Sequence, residues 1–204
     1  MFSGGRLPDD LPGPHAGQPV VSAGAPRGAA DAAVVCLHGR GATAQGAINL
    51  YEPVARHGVA FVAPQAARSR WFPHAADEPR ERNEPHVSSA LAVLEAVSER
   101  TCEVLDLPAQ RVVLTGFSQG AVVVAEYAAA TGGRHPLALL SGGLLGPTVD
   151  RESYRGGRTA GLTARWTAPS TARRCWSPAA LTTAACRSSA SRRRRPCSGR
   201  LAAT

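Results

Sequence analysis

The sequence predicts an α/β protein built on a mainly parallel β-sheet with flanking helices. Three observations predict it. Residues 32–37 (AAVVCL), 59–63 (VAFVA), 112–114 and 137–140 are short apolar runs without alternation, as expected of strands buried on both faces. Longer stretches between them carry apolar residues at helical spacing. Within two residues each apolar run gives way to glycine, proline or histidine, the punctuation of strand ends in an alternating β/α chain. A length of 204 residues suits a single domain.

The elements follow in order. After a Pro/Gly-rich start, residues 18–23 read as an edge strand, and residues 32–37 as a buried strand ending in His38-Gly39-Arg40-Gly41. Thr43 is a helix cap for a segment that runs to about His57 and bends near Pro53. Residues 59–63 form the next strand before Pro64, and residues 64–85 form a long turn-rich connection containing Trp71-Phe72-Pro73. Ser88 or Ser89 opens a helix to Leu105 whose residues Leu91, Leu94, Val97, Val104 and Leu105 fall on one face. Residues 112–114 make a strand, 121–130 a helix free of Gly and Pro, and 137–140 a last strand ending at Ser141-Gly142-Gly143. Parallel sheets of this kind place ligand sites at the carboxyl ends of their strands.

Charge divides the chain. All 23 basic residues are Arg, and residues 1–152 hold 12 of them against 15 Asp and Glu, whereas residues 153–204 hold 11 Arg and no acid. In that tail 36 of 52 residues are Arg, Ala, Ser or Thr, so it has little to bury and is expected to be disordered. The expected organisation is thus a domain over 1–152, incomplete at its C-terminal strands and helices, followed by a tail. The formal charge of +8 comes from the tail, and nucleic acid is not the expected partner of the domain. No 18-residue apolar span and no secretory pattern occur, which makes the cytoplasm the expected location. Five cysteines, an odd number without a C-x-x-C pair, argue against a disulfide framework or zinc site, and no metal or cofactor is expected.

The chemistry concentrates at Gly116-Phe117-Ser118-Gln119-Gly120, between a strand and a helix. Glycines two before and two after Ser118 allow a sharp turn that lifts a nucleophilic hydroxyl above the strand ends. The preceding buried strand ends in the turn where an oxyanion hole belongs, with the backbone N–H groups of Arg40 and Gln119 as its donors. His38 is read as a brace for that turn, because its backbone precedes the glycines.

With LHGRGAT (37–43), APQA (63–66), WFP (71–73), NEP and SSAL (83–91), GFSQGA (116–121) and LSGGLLG (140–146), residues 15–150 resemble the phospholipase/carboxylesterase group of α/β-hydrolases, which includes acyl-protein thioesterases and lysophospholipases. The resemblance implies a cofactor-free serine hydrolase acting on a small carboxylic ester or thioester. Ser118 is then the nucleophile, Arg40 and Gln119 supply the oxyanion N–H groups, and Gly39 and the Trp71 loop border the substrate. An anchoring role for Trp71 is the alternative.

The family draws an Asp and a His from later elements. Here only His135 and Asp150 follow Ser118, and neither is assigned to a triad: His135 is read as an exposed residue beyond the elbow helix, and Asp150 has no histidine to orient. A shifted reading frame accounts for this. With G/C-ending codons, residues 170–181 re-read close to Leu-Asp-Gly-Ala-Pro-Val-Leu-Val-Ala, followed by Ala-Asp-Asp and Val-Pro-Leu, a strand and an acid. Resequencing the locus is expected to reveal a family-like continuation in another frame; an uninterrupted frame through Thr204 with no such continuation refutes the explanation.

Overall fold

A computed structural model describes residues 5–148 of the chain. The expected tail, its arginine cluster and Asp150 lie outside the described residues. Five strands form one sheet: β1 (Val20–Gly24), β2 (Ala32–Leu37), β3 (Val59–Pro64), β4 (Val112–Phe117) and β5 (Leu137–Leu140). Their spatial order is β1-β3-β2-β4-β5. β1 runs antiparallel to β3, and the other three pairings are parallel. The expected edge strand and mainly parallel sheet are both present.

Three helices cover the sheet: α1 (Ala44–Tyr51), α2 (His86–Leu105) and α3 (Gln119–Thr131). Residues from α2 and α3 pack with Val35, Leu37, Val62 and Leu114 in the main core. Ala44, Ala47 and Ile48 of α1 pack with Cys36, Phe61 and Ala63 on the opposite face. The sheet therefore lies between two helical layers, and β2 and β4 alternate their side chains between them. Residues 121–127 of α3 are all buried, as expected for a helix apolar on nearly every side.

The boundaries differ from expectation for local reasons. Thr43 caps α1 by accepting the Gly46 N–H at 3.0 Å, but the α-helix stops at Tyr51 and a short 3-10 turn containing Pro53 follows. Proline has no N–H to continue the ladder and clashes with the preceding turn. α2 begins at His86, before the expected serines, with Pro85 outside its first turn. Its end needs no glycine: Asp106 takes the left-handed conformation, φ 55°, and donates to Cys102 O.

The order of strands puts the ends of β3, β2 and β4 side by side, so the loops after them share one edge of the sheet. Gly120, at the start of α3, touches the end of β2. A Cβ there would lie 2.4 Å from Leu37 O and 2.7 Å from His38 O, closer than real contacts allow. Gly120→Ala is expected to destabilise the fold by about 1–3 kcal/mol through overpacking; urea denaturation with an unchanged slope measures it, and an unshifted midpoint contradicts the close approach.

Candidate active site

Ser118 joins β4 to α3 with φ 51° and ψ −116°, a conformation that non-glycine residues seldom adopt. Its backbone is held on both sides: the N–H donates to Leu140 O at 2.8 Å, and the carbonyl accepts from Ala121 N at 2.9 Å and Val122 N at 3.2 Å. The space is cleared by glycines. A Cβ on Gly116 would stand 2.3 Å from Gly120 C, and one on Gly142 would stand 2.5 Å from the Ala121 Cβ. The Ser118 hydroxyl forms no cap bond to α3.

The loop after β2 lies against this elbow. A Cβ placed on Gly39 would be 3.2 Å from the Phe117 ring and 3.6 Å from the Ser118 Cβ. Arg40 follows directly. At the other side of the contact Gln119 opens α3, where its N–H has no acceptor within the helix. The two N–H groups expected to face an oxyanion thus belong to residues adjoining the point where loop and elbow meet.

Residues 65–74, after β3, clamp both halves. Gln119 is buried, and its side chain accepts the Trp71 N–H at 2.8 Å and donates to Phe72 O at 2.7 Å. The Trp71 indole N–H donates to His38 O at 2.8 Å. Gly41 N donates to Ser69 O at 2.7 Å, and the Arg40 guanidinium donates to Pro73 O at 2.8 Å and to His74 O. Trp71 has no exposed surface, so it stands behind the loop that begins at His38 as an anchor and lines no open surface. A ring whose one polar atom is tied to His38 O gains more from burial than from lining a wet groove.

Two histidines set the loop positions. His38, fully buried, takes hydrogen bonds on Nε2 from Ala66 N at 3.0 Å and Gln65 Nε2 at 3.1 Å, and its Nδ1 lies 2.8 Å from Gly39 O. That pattern requires a neutral ring protonated at Nδ1. Burial lowers its pKa, opposed by the Gly39 carbonyl. His15 is the mirror case: Nδ1 accepts from Ala67 N at 3.1 Å, and Nε2 donates to Trp71 O at 3.0 Å. Burial drives its pKa from 6.5 down to about 4. Both rings are braces, and neither is free to accept a proton from Ser118.

His135 is not the exposed residue expected from sequence. It is buried, with Nδ1 3.1 Å from Val112 O at the start of β4, whereas Ser118 follows the end of that strand. At about 3.3 Å per residue, the length of β4 separates the two. His135 therefore closes the far end of the sheet. Among the described residues no histidine hydrogen-bonds Ser118, and no group of three metal-ligating side chains occurs.

The sequence reading missed His15, Asn83 and Glu126. Glu126 is buried in α3, accepting from Arg80 at 2.7 Å and from Leu145 N at 2.8 Å, so it ties the elbow helix to the 80s turn and to the segment after β5. Asn83, fully buried, accepts from His74 N and donates to Ala75 O. A glutamate inside an otherwise apolar helix was a signal for a buried ion pair. Nothing local distinguished His15 in its proline-rich surroundings.

The phospholipase/carboxylesterase family pattern matches residues 17–145, more than half of the chain. The chain belongs to that family. A phospholipase/carboxylesterase from Dyadobacter fermentans DSM 18053 is 32% identical with a TM-score of 0.63, the match covering 72% of this chain and 70% of that one. Esterase PE8 is 24% identical with a TM-score of 0.52, over 74% and 71% of the two chains. The Bacillus cereus carboxylesterase shares the fold at 15% identity and a TM-score of 0.51, over 65% and 63%. No curated protein matches the chain. Family membership makes the sheet an α/β-hydrolase scaffold, in which the turn at Ser118 joins β4 to α3.

The histidine braces give the site an acid limit. A folded pKa near 4 against 6.5 unfolded means that the unfolded chain takes up the proton first. The His15 contribution is complete above about pH 6.5 and is lost as pH falls to about 4, on the order of 3 kcal/mol in all. His15→Gln keeps a donor and an acceptor but cannot titrate. Urea denaturation at stepped pH is expected to show a flatter acid limb for this variant; an identical slope contradicts the assignment.

Proposed function

We propose that this protein is a serine carboxylesterase or thioesterase acting through an acyl-enzyme on Ser118. The observation that supports the reading most directly is the strained, uncapped Ser118 pressed against the Gly39 loop. Ser118 Oγ attacks the acyl carbon, the Arg40 and Gln119 N–H groups hold the developing oxyanion, and the alcohol or thiol leaves with the proton given up by the serine. Water then attacks the acyl-enzyme, releases the acid and restores the serine. Gly39 leaves room for the acyl carbon beside the elbow, and Trp71 acts by fixing the loop. No cofactor enters this scheme.

A second reading is favoured by the histidines: an impaired relative in which the fold survives but no base activates Ser118. His38 and His15 are locked as neutral hydrogen-bonding braces, and His135 lies at the far end of β4. An oxyanion hole with substrate binding alone retains roughly 10³- to 10⁴-fold acceleration over water. The location is proposed as cytoplasmic; among the described residues no helix is long and apolar enough to cross a membrane.

A fluorophosphonate probe and p-nitrophenyl butyrate separate the readings. Labelling of the full chain that disappears in Ser118→Ala, together with turnover, is the expected result. Labelling that survives the substitution removes Ser118 as the nucleophile, and labelling without turnover beyond the residual level above selects the impaired relative.

A further inference from the structure

A cavity of about 100 Å³ lies between the edge strand β1, its neighbour β3 and the C-terminal turns of α2. Small residues make the room: Ala23, Ala25 and Ala60 line it from the strands, and Gly5 lines it from the chain before β1. Val20, Val62, Val104 and Leu105 add apolar surface. Val20, Ala60 and Val62 are buried, whereas Gly5, Ala23 and Arg100 are exposed, so the space has a closed floor and an open mouth. β3 and β2 stand between β1 and β4. Three strand spacings of ~4.8 Å put roughly 14 Å between the edge strand and the strand that leads to Ser118. Among the described residues of the wall, none comes from the loops after β2 or β4.

The wall sets the chemistry of an occupant. Thr101 is its buried polar side chain, and the hydroxyl already donates to Val97 O at 2.7 Å. Ser22 is engaged as well. Among the described residues the buried side-chain nitrogen or oxygen that lacks a partner is His86 Nδ1, which is outside this wall. With no unmet donor or acceptor there is nothing to hold a water, and apolar cavities of about 150 Å³ stay dry and take up benzene. Charge of either sign is unfavourable here. An anion would face the carbonyl end of α2, the negative pole of the helix, which has no basic residue in its last turn. A cation would face Arg100, the charged residue of the wall, whose guanidinium Nη1 lies 3.2 Å from Glu103 at the surface.

We propose that this cavity is a non-catalytic binding site, separate from the Ser118 turn, for one uncharged apolar group of about six carbons, a benzene-type ring or the end of an alkyl chain. The occupant enters by the mouth at Gly5, Ala23 and Arg100. Its contacts with Val104 and Leu105 on one side and Val20 and Val62 on the other bridge α2 to the edge of the sheet. Binding therefore stabilises the fold without touching Ser118, and the assignment holds whether or not that serine is a nucleophile.

Thermal melting and calorimetric titration of the full chain with benzene, benzoate and benzylammonium test the site. Benzene is expected to bind with a dissociation constant on the order of 1 mM. At about ten times that concentration it is expected to raise Tm by about 3–5 °C. Benzoate and benzylammonium are expected to bind about three- to tenfold more weakly, since each brings a charge to the mouth. Val104→Phe fills the space from the half-buried side of α2 and is expected to melt at or above the wild-type temperature while losing the response to benzene. Ala23→Phe, at the exposed mouth, makes the same test from the strand side should Val104→Phe not fold. Ser118→Ala is expected to keep the response. No response of the full chain to benzene, a response that survives in the filled variants, or tighter binding of either charged analogue overturns the site. A response that appears only in Phe2→Ala overturns it too, because Phe2, three residues ahead of Gly5, is then the group that the cavity holds.

Discussion

The site depends on how closely α3 approaches the strand ends. Gly120 touches the carbonyls of Leu37 and His38, and Gly116 touches Gly120 in turn, so the end of β2, the end of β4 and the first turn of α3 meet with no side chain between them. This contact sets the separation between Ser118 and the loop that begins at His38. A single methyl group at either position would push elbow and loop apart, and an oxyanion site depends on distances finer than that.

Around this junction the protein uses polar groups where a core normally uses apolar ones. His38, His15, Gln119 and the Trp71 indole form a connected set of hydrogen bonds whose acceptors are mostly loop carbonyls. Loop backbone brought beneath a surface must have its N–H and C=O groups satisfied, and here side chains supply the missing partners. The neutral imidazoles suit the task because each offers one donor and one acceptor at fixed angles. Glu126 and Arg80 extend the same logic, joining α3 to the turn at residues 80–83.

Much of this was legible in the sequence. The strands at 32–37 and 137–140 appeared as uninterrupted apolar runs, and the Ser118 turn was marked by glycine spacing, because both signals are local. The start of α2 was not legible, since serine is a good cap in general but here His86 and Val87 already belong to the helix. Trp71 and His135 were harder. Whether an aromatic lines a cleft or anchors a loop depends on partners such as His38 O, 33 residues away in sequence. The burial of His135 depends on Val112 O, supplied by a neighbouring strand. Such long-range partnerships leave no periodic trace.

The placement of Trp71 has a spectroscopic consequence. It is the tryptophan of the described residues, fully buried, with its indole N–H fixed to the residue that precedes Gly39. Its emission therefore originates next to the loop that begins at His38 and reports the polarity there. Loosening of that loop admits water to the ring and moves the Trp71 emission to longer wavelength, an optical gauge of the order of the Gly39 loop.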